Sequence, residues 1–559
     1  MVKRVAVIGA GSSGLACIKC CVDEGLEPVC FESSDDIGGL WRFKENPEPD
    51  RASIYHSVII NTSKEMMCYS DFPIPADFPN FMHNSLIMDY FRMYAEHFQL
   101  RRFIRFQTKV LQVTPRPDFS HSGQWDVEIE CADGQREKHV FDAVMVCIGH
   151  HCYPNMPLKD FPGIDTFKGK YFHSRDYKTP DEWRGKRVVV IGIGNSGGDI
   201  AVELSRVAKQ VFLSTRRGSW ILNRVGPNGI PLDMTFSRLT DMLRHTLPFD
   251  FLCGVVESQL NKRFNHELYR LQPEHRIFNQ HPMVNDDLPN RILSGTIAVK
   301  PNVQKFQGSS VVFEDGTVEA DIDLVVFATG YTFGFPFLPS SVLSVSGNKT
   351  SLYKYMLPPG LEHPSLVVIG LIQPLGAIMP ISEMQARWAT RVFKGLNKLP
   401  SMNDILKDIK AKENAMAKRY VLSQRHTIQV DYIPYMDELA RQIGVRPNVL
   451  SLLLRDPKLG LSILFGPCTP YQFRLCGPGQ WKGARQAILT QWDRVAQPLK
   501  TRSVKDKESS HSHLRLLLPL SAAALLSAVY YRGASLASLL PDPAVVLDRI
   551  RAYLPLPTQ

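Results

Sequence analysis

Two glycine-rich stretches carry the residue types and spacing needed to bind a charged nucleotide. The first, VAVIGAGSSG at residues 5–14, places Gly9, Gly11 and Gly14 at the GxGxxG spacing. The apolar residues before Gly9 predict a strand, and residues 15–24 predict a helix. Glycines at these positions let the backbone approach a pyrophosphate at the helix N-terminus, where free N–H groups and the helix dipole favour an anion. The stretch therefore predicts a dinucleotide site.

An acidic residue follows the next predicted strand, at residues 28–31. Glu32 lies eighteen positions after Gly14, where a carboxylate can accept hydrogen bonds from ribose hydroxyls. We therefore expect an adenosine ribose without a 2′-phosphate. Further glycines at 36–41, DIGGLW, again let the backbone meet a bulky ligand. The predicted residues of this first site are Gly9, Gly11, Ser13, Gly14, Glu32, Gly39, Leu40 and Trp41.

The second glycine-rich stretch is VVVIGIGNSG at residues 188–197. After the predicted strand 210–214, it is followed by Thr215, Arg216 and Arg217, where the first stretch has Glu32. A guanidinium can hydrogen-bond a 2′-phosphate as a planar fork, whereas an acid would repel it, so this site should prefer NADP. A pair of solvated arginines is the alternative. The predicted residues of the second site are Gly192, Gly194, Asn195, Ser196, Gly197, Thr215, Arg216 and Arg217.

Two dinucleotide sites in one chain indicate a flavoprotein that receives hydride from a nicotinamide, with FAD at the first site and NADP at the second. The predicted fold class is α/β, with two Rossmann-like dinucleotide-binding domains, a helical insertion and a C-terminal membrane-anchoring tail. We place the FAD-binding domain at 1–154 and 331–445, the NADP-binding domain at 155–217 and 294–330, the helical insertion at 218–293, a C-terminal region packing on the core at 446–510, and the tail at 511–559.

Other patterns predict the elements that position these sites. An amphipathic helix is expected at 84–98 with Asn84 as its N-cap, and alternating apolar residues predict a meander at 106–129. Buried strands are expected at 141–149 and 365–370. Helices are expected at 381–393 and, within the insertion, at 236–247 and 251–264.

Composition excludes several classes of function. The 559 residues suggest about three domains, and 44% hydrophobic content indicates full cores. The net charge of +10 comes from scattered Lys and Arg without a nucleic-acid motif, so nucleic-acid binding is not expected. Eleven cysteines without paired CxxC clusters favour a reducing compartment, and Cys17 and Cys20 are read as packing residues. Residues 150–152, His-His-Cys, lack a second ligand cluster, so no metal site is predicted.

The segment between the two glycine stretches carries a family resemblance. Residues 167–177, FKGKYFHSRDY, fit FxGxxxHxxx followed by an aromatic residue, the fingerprint of class B flavoprotein monooxygenases. The chain resembles the flavin-containing monooxygenases over residues 1–510. The dedicated Baeyer–Villiger enzymes have Trp where this chain has Tyr177. Supporting stretches lie at 61–67, 285–289, 327–331 and 376–380.

The resemblance implies a reaction cycle with three participants. NADPH reduces FAD, NADP⁺ stays bound, and dioxygen adds to the reduced flavin to give a hydroperoxide that must be shielded from water. The family places the residue corresponding to Asn61 beside the flavin and that corresponding to Asn195 near the nicotinamide. An amide suits this task because it donates and accepts hydrogen bonds without delivering an acidic proton. Thr62 and Gln373 complete the implied cofactor contacts.

One further position bears on the substrate. In the heteroatom-oxygenating forms of the family the residue before the proline at 282 is typically Glu, whereas the carbonyl-oxygenating form has His, and this chain has His281. An imidazole can stay neutral or positive near an anionic oxygen nucleophile, which a Glu would disfavour. We therefore expect Baeyer–Villiger oxidation of small lipophilic ketones and aldehydes, with Asn61 and His281 as catalytic residues. A loop histidine without a role is the alternative reading of His281.

Four other functions stay open at this point. N- and S-oxygenation of soft nucleophilic amines and sulfides, or an NADPH oxidase that releases hydrogen peroxide, would use the same cofactors. A pyridine-nucleotide disulfide reductase would need a redox CxxC at the flavin, and Cys17 and Cys20 are in the wrong place for one. A non-catalytic binding protein has no reason to keep the second glycine stretch.

The C-terminus changes character near residue 500. Residues 500–510 are polar and basic, and 516–531 form an apolar run of 16 residues, slightly short of the roughly 17 to 25 needed to span a bilayer. We expect a membrane anchor with the catalytic part facing the cytosol; an interfacial helix is the alternative. The resemblance implies the endoplasmic reticulum membrane and permits a homo-oligomer. The chain continues beyond Arg532, where the typical form of the family ends sooner, and the sequence predicts no role for this tail.

Overall fold

Two parallel sheets of five strands each organise the protein. The computed structural model describes residues 3–49, 51–421, 423 and 427–503, so the predicted anchor lies outside the described residues. The strands of the first sheet are, in spatial order, Leu366–Val368, Ala143–Val146, Arg4–Ile8, Glu27–Phe31 and Ile104–Arg105. Those of the second are Ile297–Lys300, Gln210–Ser214, Arg187–Ile191, Leu324–Phe327 and Lys170–His173.

The first sheet is covered on both faces, which explains its nearly continuous runs of apolar residues. Val5 and Val7 pack towards the helices Ser12–Asp23 and Met379–Phe393, because alternate side chains of a strand point to opposite faces. Ala6 and Ile8 pack on the other face. That face is covered by an antiparallel meander of the strands Lys109–Pro115, Trp125–Glu130 and Arg136–Phe141.

The second sheet repeats this plan. Val188 and Val190 pack towards the helix Asn195–Leu204, and Val189 and Ile191 pack towards the opposite face. The opposite face carries a second antiparallel meander, Val303–Gln307, Ser310–Phe313 and Val318–Glu319. The chain therefore builds two dinucleotide-binding units of similar design, as expected from the two glycine stretches.

Short strand pairs connect these units with the rest of the chain. They are Tyr153–Pro154 with Tyr331–Thr332, Ile221–Leu222 with Met283–Val284, and Gln373–Leu375 with Gln429–Asp431. The other α-helices are Lys64–Met67, Asn84–His97, Phe119–Ser122, Arg238–Thr246, Phe249–Arg263, Leu288–Leu293, Met402–Arg419, Tyr432–Ile443, Val449–Arg455, Pro457–Phe465 and Ala484–Ala496.

Most predicted elements are confirmed within a few residues, and one cap was wrong. The strand predicted at 141–149 is shorter, covering Ala143–Val146. His83, not Asn84, caps the following helix, because a ring nitrogen of His83 accepts the Ser85 N–H. The Asn84 amide instead donates to the carbonyl of His56 at 2.8 Å. Within the described residues, none of the helices combines the length and the apolar character required to cross a bilayer.

Candidate active site between the two nucleotide loops

A cavity of about 810 Å³ reaches both glycine loops. Asn61 and His281, the two predicted catalytic residues, both line it. The other predicted site residues that line it are Gly9, Gly11, Ser13, Glu32, Gly39, Leu40, Trp41, Thr62, Gly194, Asn195, Ser196, Gly197 and Gln373. Gly14, Gly192, Thr215, Arg216 and Arg217 are not part of the cavity wall. The structure thus brings the two loops and both proposed catalytic side chains to one space.

The first loop requires glycine for steric reasons. Gly9 has a φ of +99°, and a Cβ there would lie 2.8 Å from the Cys147 carbonyl oxygen. A Cβ on Gly14 would lie 1.9 Å from the Gly9 carbonyl oxygen. These contacts make a turn whose backbone is open to the cavity at the start of the helix Ser12–Asp23. Such a cradle fits the pyrophosphate of a dinucleotide.

Glu32 is buried at the cavity wall and held by the protein itself. Its Oε2 accepts the Ala10 N–H at 2.7 Å, and its Oε1 accepts the N–H and the hydroxyl of Ser34 at 2.9 and 2.7 Å. A carboxylate has about four acceptor positions, so Oε2 keeps one for a ribose hydroxyl. The acid is therefore pre-positioned for the role predicted for it.

Arg51 is a cavity residue that sequence reasoning missed. Its Nη2 donates to the Gly39 carbonyl at 3.3 Å, and Nη1 lies 3.5 Å from Glu32 Oε1. Its buried Nε lies 4.0 Å from Glu48 Oε2 and makes no hydrogen bond within the described chain. Arg175, in the fingerprint segment, donates from Nε to the Arg51 carbonyl at 3.1 Å. The fingerprint arginine thus holds a second, cavity-lining arginine, which the spacing of the fingerprint alone does not reveal.

The second loop has the same backbone design as the first. Gly192 has a φ of +108°, and a Cβ there would lie 2.5 Å from the Ala328 carbonyl oxygen. A Cβ on Gly197 would lie 2.0 Å from the Gly192 carbonyl oxygen. Arg216 and Arg217 are exposed just beyond the neighbouring strand and make no ion pair or hydrogen bond within the described residues. Two free guanidiniums fit an exchangeable ligand that carries an additional phosphate.

Asn61 presents an unused acceptor at the cavity. Its Oδ1 is buried and has no hydrogen-bond partner within the described residues. Buried polar atoms are normally paired, so an orphaned one at a cavity wall fits a partner supplied by a ligand. The preceding residue is fixed, because Ile60 N–H donates to the Met82 carbonyl at 3.0 Å. The residues present at both loops therefore fit a dinucleotide at each.

His281 reaches the cavity from the end of the insertion. It is half-buried, and two residues later the strand Met283–Val284 begins. The Val284 N–H donates to Asn195 Oδ1 at 2.8 Å, which ties this segment to the second glycine loop. His281 is thereby carried to the same cavity as Asn61 by a contact that its own sequence neighbours do not predict.

Asp199 joins three parts of the site and was also missed. Its Oδ2 accepts the Tyr55 hydroxyl at 2.7 Å, and its Oδ1 accepts the Asn285 amide at 2.7 Å. Burial raises the pKa of the Asp199 carboxyl. Asp199 lies four residues after Asn195 on one helix, so the two side chains share a face. That spacing is the signal that would have found it.

His150 and His151 line the cavity as neutral imidazoles. Burial lowers the pKa of His150 to about 3 and that of His151 to about 4. At neutral pH these rings therefore deliver no acidic proton to the cavity. Burial likewise raises the pKa of Cys152 to about 11. Among the residues described, no group of three or more metal-ligating side chains is arranged to hold an ion.

The fingerprint residues hold the framework around the cavity. His173 donates from Nε2 to the Gly330 carbonyl at 2.9 Å, and its Nδ1 accepts the Arg175 N–H at 3.1 Å, which fixes one neutral tautomer. Tyr177 is buried, and its hydroxyl donates to Glu203 Oε2 at 3.1 Å. Neither His173 nor Tyr177 lines the cavity. The His173 contact joins the second sheet to the return segment at Gly330, and the Tyr177 contact holds the fingerprint segment to the helix Asn195–Leu204.

Sequence comparisons identify proteins that are similar to this chain. The family described as flavin-binding monooxygenase-like matches residues 2–532. The chain is 60% identical over 528 residues to flavin-containing monooxygenase 5 of Rattus norvegicus, covering 94% of this chain and 99% of that protein. It is 56% identical over 533 residues to the N-oxide-forming dimethylaniline monooxygenase 2 of Rattus norvegicus, covering 95% and 99%.

Solved structures show the same fold. S-allyl-L-cysteine S-oxygenase from Allium sativum superposes with a TM-score of 0.61 at 25% identity, covering 82% of this chain and 92% of that one. A complex of OTEMO with FAD and NADP superposes with a TM-score of 0.58 at 17% identity, covering 78% and 97%. At this low identity the second similarity concerns the fold alone.

Proposed function

The chain belongs to the flavin-binding monooxygenase-like family, and from that premise we propose that it uses NADPH and dioxygen to insert an oxygen atom beside the carbonyl group of small lipophilic ketones and aldehydes. Its enzyme class, a flavin-containing monooxygenase, follows from the family and from relatives of about 60% identity. The carbonyl preference is the finer proposal, a Baeyer–Villiger oxidation.

FAD and NADP are the cofactors, in agreement with the flavin-binding family and with the structural relative solved with both. We assign FAD to the first loop, where Glu32 is buried and already bonded, and NADP to the second, where Arg216 and Arg217 are exposed. Bound flavin supplies the activation of dioxygen, and NADPH supplies the electrons.

The observation that carries the proposal is that Asn61 and His281 line a cavity that reaches both loops. The free Oδ1 of Asn61 offers a hydrogen-bond acceptor at the reacting centre without an acidic proton. His281 is the residue that favours a carbonyl substrate, because an electrophilic carbonyl carbon requires an anionic oxygen nucleophile. An imidazole tolerates such an anion, whereas a carboxylate at the same position would repel it.

Two histidines of the cavity wall do not act as acids at neutral pH. His150 and His151 are neutral at physiological pH, since burial lowers the pKa of both rings. Keeping acid away from the reacting centre favours oxygen transfer over release of peroxide.

Oxygenation of nitrogen or sulfur is the second candidate. The names of two relatives, an N-oxide-forming monooxygenase and an S-oxygenase, favour it. Either reaction would use the same cavity and cofactors, so the residue at 281 is what separates the two candidates.

The test is isotopic. The purified full-length protein, with FAD and NADPH under ¹⁸O₂, is given an aliphatic ketone, and the products are analysed by mass spectrometry. We expect an ester that contains one ¹⁸O atom, formed in about a one-to-one ratio with the NADPH oxidised, as one electron pair is used per oxygen atom transferred. Oxygenation of a sulfide together with no ester from any ketone would replace the proposal with the second candidate.

A further inference from the structure

A buried acidic residue of the insertion hydrogen-bonds to the segment that contains Asn61. Asp233 lies in the short 3₁₀ turn Leu232–Thr235, and its Oδ2 accepts the Ser63 N–H at 2.7 Å and the Ser63 hydroxyl at 2.9 Å. Both donors belong to one residue, two positions after Asn61. Ser63 also precedes the helix Lys64–Met67, yet its side chain makes no capping bond there. Its hydroxyl serves the contact with Asp233 instead.

An acidic residue at this buried position is unfavourable for the free energy of folding. Asp233 is 9% exposed, and no cation pairs with it in the described part of the chain. Its second oxygen, Oδ1, is buried without a hydrogen-bond partner among the described residues. Burying a carboxyl group without a counter-charge is unfavourable unless it gains something specific. What it gains here is two charge-assisted hydrogen bonds to Ser63, which are roughly twice as strong as bonds between neutral groups.

The segment is thus held at both ends by different parts of the protein. Before Asn61, the Ile60 N–H donates to Met82 within the first unit. After it, Ser63 is held by Asp233 of the insertion. The Asn61 amide lies between these two anchors and presents its unpaired oxygen at the cavity wall. Its position therefore depends on where the insertion sits.

We propose that Asp233 is a positioning residue that fixes Asn61 through Ser63 and so sets the fraction of NADPH oxidation that yields oxygenated product instead of hydrogen peroxide. Asp233 does not line the cavity. The catalytic consequence rests on the function proposed above, but the contact itself is tested separately.

The first experiment measures the contact in the purified full-length holoenzyme, without NADPH or substrate. Hydrogen exchange followed by mass spectrometry reports the protection of backbone amides in peptides covering residues 58–68. We expect Asp233→Ala to increase the exchange rate of this segment by about tenfold, since a charge-assisted hydrogen bond is lost. Glu257→Gln is the matched control, because Glu257 is another insertion carboxylate, bonded to Arg276 and to the Ile277 N–H. It should leave residues 58–68 unchanged.

The second experiment measures peroxide released per NADPH oxidised by the holoenzyme. We expect about a fivefold increase in Asp233→Ala, a smaller one in Asp233→Asn, and the wild-type ratio in Glu257→Gln. A double-mutant cycle with Ser63→Ala should be strongly non-additive, because both residues act through the same contact. Effects that simply add, or faster exchange at 58–68 with an unchanged peroxide ratio, would overturn the proposal.

The dependence of the peroxide ratio on pH is a further measurement. It would not change if Asp233 served only to stabilise the fold. Burial raises the pKa of Asp233 to about 6. Protonation removes the charge that strengthens the Ser63 bonds, so the peroxide ratio should rise as pH falls from 8 to 6. Asp233→Asn should lack this rise.

Charged residues on the packed elements are engaged elsewhere. Lys64 bonds the Ala76 and Phe78 carbonyls, Glu65 pairs with Arg494, and Arg238 pairs with Asp437. These residues are still present in Asp233→Asn, so any effect of their titration on the peroxide ratio appears in both proteins. The difference between the pH profiles of the wild type and Asp233→Asn therefore reports Asp233 alone. An identical pH profile in the two proteins would contradict the role of the carboxylate. If no oxygenated product forms from any substrate while the exchange result holds, the proposed function fails and the contact survives.

Discussion

The two glycine loops have nearly the same backbone geometry, but the charged residues beside them differ in sign and in exposure. In the first, the Cβ positions of Gly9 and Gly14 are blocked by carbonyl oxygens at 2.8 and 1.9 Å; in the second, those of Gly192 and Gly197 are blocked at 2.5 and 2.0 Å. The difference lies at the end of the second strand of each unit. Glu32 is buried and bonded to the protein, whereas the arginines of the second unit are exposed.

This difference supports the proposed assignment of FAD to the first loop and NADP to the second. A buried, pre-bonded acid needs no reorganisation when a ribose binds, which favours a cofactor that stays in place. Exposed guanidiniums pair with a phosphate and remain hydrated when it leaves, which favours a cofactor that exchanges. On the proposed assignment, the same strand, turn and helix would serve a flavin that stays bound and a nicotinamide that exchanges.

We expect the largest effect from substitutions that disrupt each glycine loop separately. Gly14→Ala should abolish flavin retention, and Gly197→Ala should leave flavin bound but weaken NADPH binding. Each added methyl group meets a backbone oxygen, so we expect a loss of about 2 kcal/mol or more, roughly 30-fold in affinity. The flavin absorbance of the purified variants and the KM for NADPH measure the two effects.

Gly254→Ala is the control for these variants, since a Cβ on that helical glycine meets only the end of the Arg276 side chain, at 3.6 Å. It should match the wild type in both measurements. A Gly197→Ala variant that loses flavin and keeps its affinity for NADPH would reverse the assignment of the loops.

A smaller effect is expected from the arginines. Arg216→Glu should raise the KM for NADPH by about tenfold and leave that for NADH almost unchanged, because a charge-assisted contact to the 2′-phosphate becomes a repulsion. Steady-state kinetics with both nucleotides measure the ratio. Arg184→Glu, with a side chain 71% exposed in the same unit, is the control. Equal changes for NADPH and NADH would mean that Arg216 does not read the phosphate.

The features of the two loops that depend on the backbone could be predicted from the sequence. Strands, helices and glycine turns follow from local pattern, so the loops and most elements were predicted to within a few residues. The helix cap at His83 was missed because a histidine ring accepted the bond expected from Asn84. Short-range preference ranks asparagine first at such positions, and only the folded geometry decides between neighbours.

The contacts between distant segments could not be predicted. Arg51 and Asp233 reach the site through bonds to residues far along the chain. Neither lies in a motif whose spacing points to the cavity. The pairing of Val284 with Asn195, 89 positions apart, is of the same kind. Such contacts depend on how distant segments pack together, which a single sequence does not encode in any local pattern.

The most direct test of the account is the ratio of ester to sulfoxide formed when a ketone and a sulfide compete in one reaction. The ratio is measured by mass spectrometry for the wild type, His281→Glu and His281→Gln. We predict that the wild type favours the ester, and that Glu shifts the ratio towards sulfoxide by about tenfold while Gln, lacking the negative charge, shifts it less. A ratio that is the same in all three proteins would contradict the claim that His281 selects the substrate.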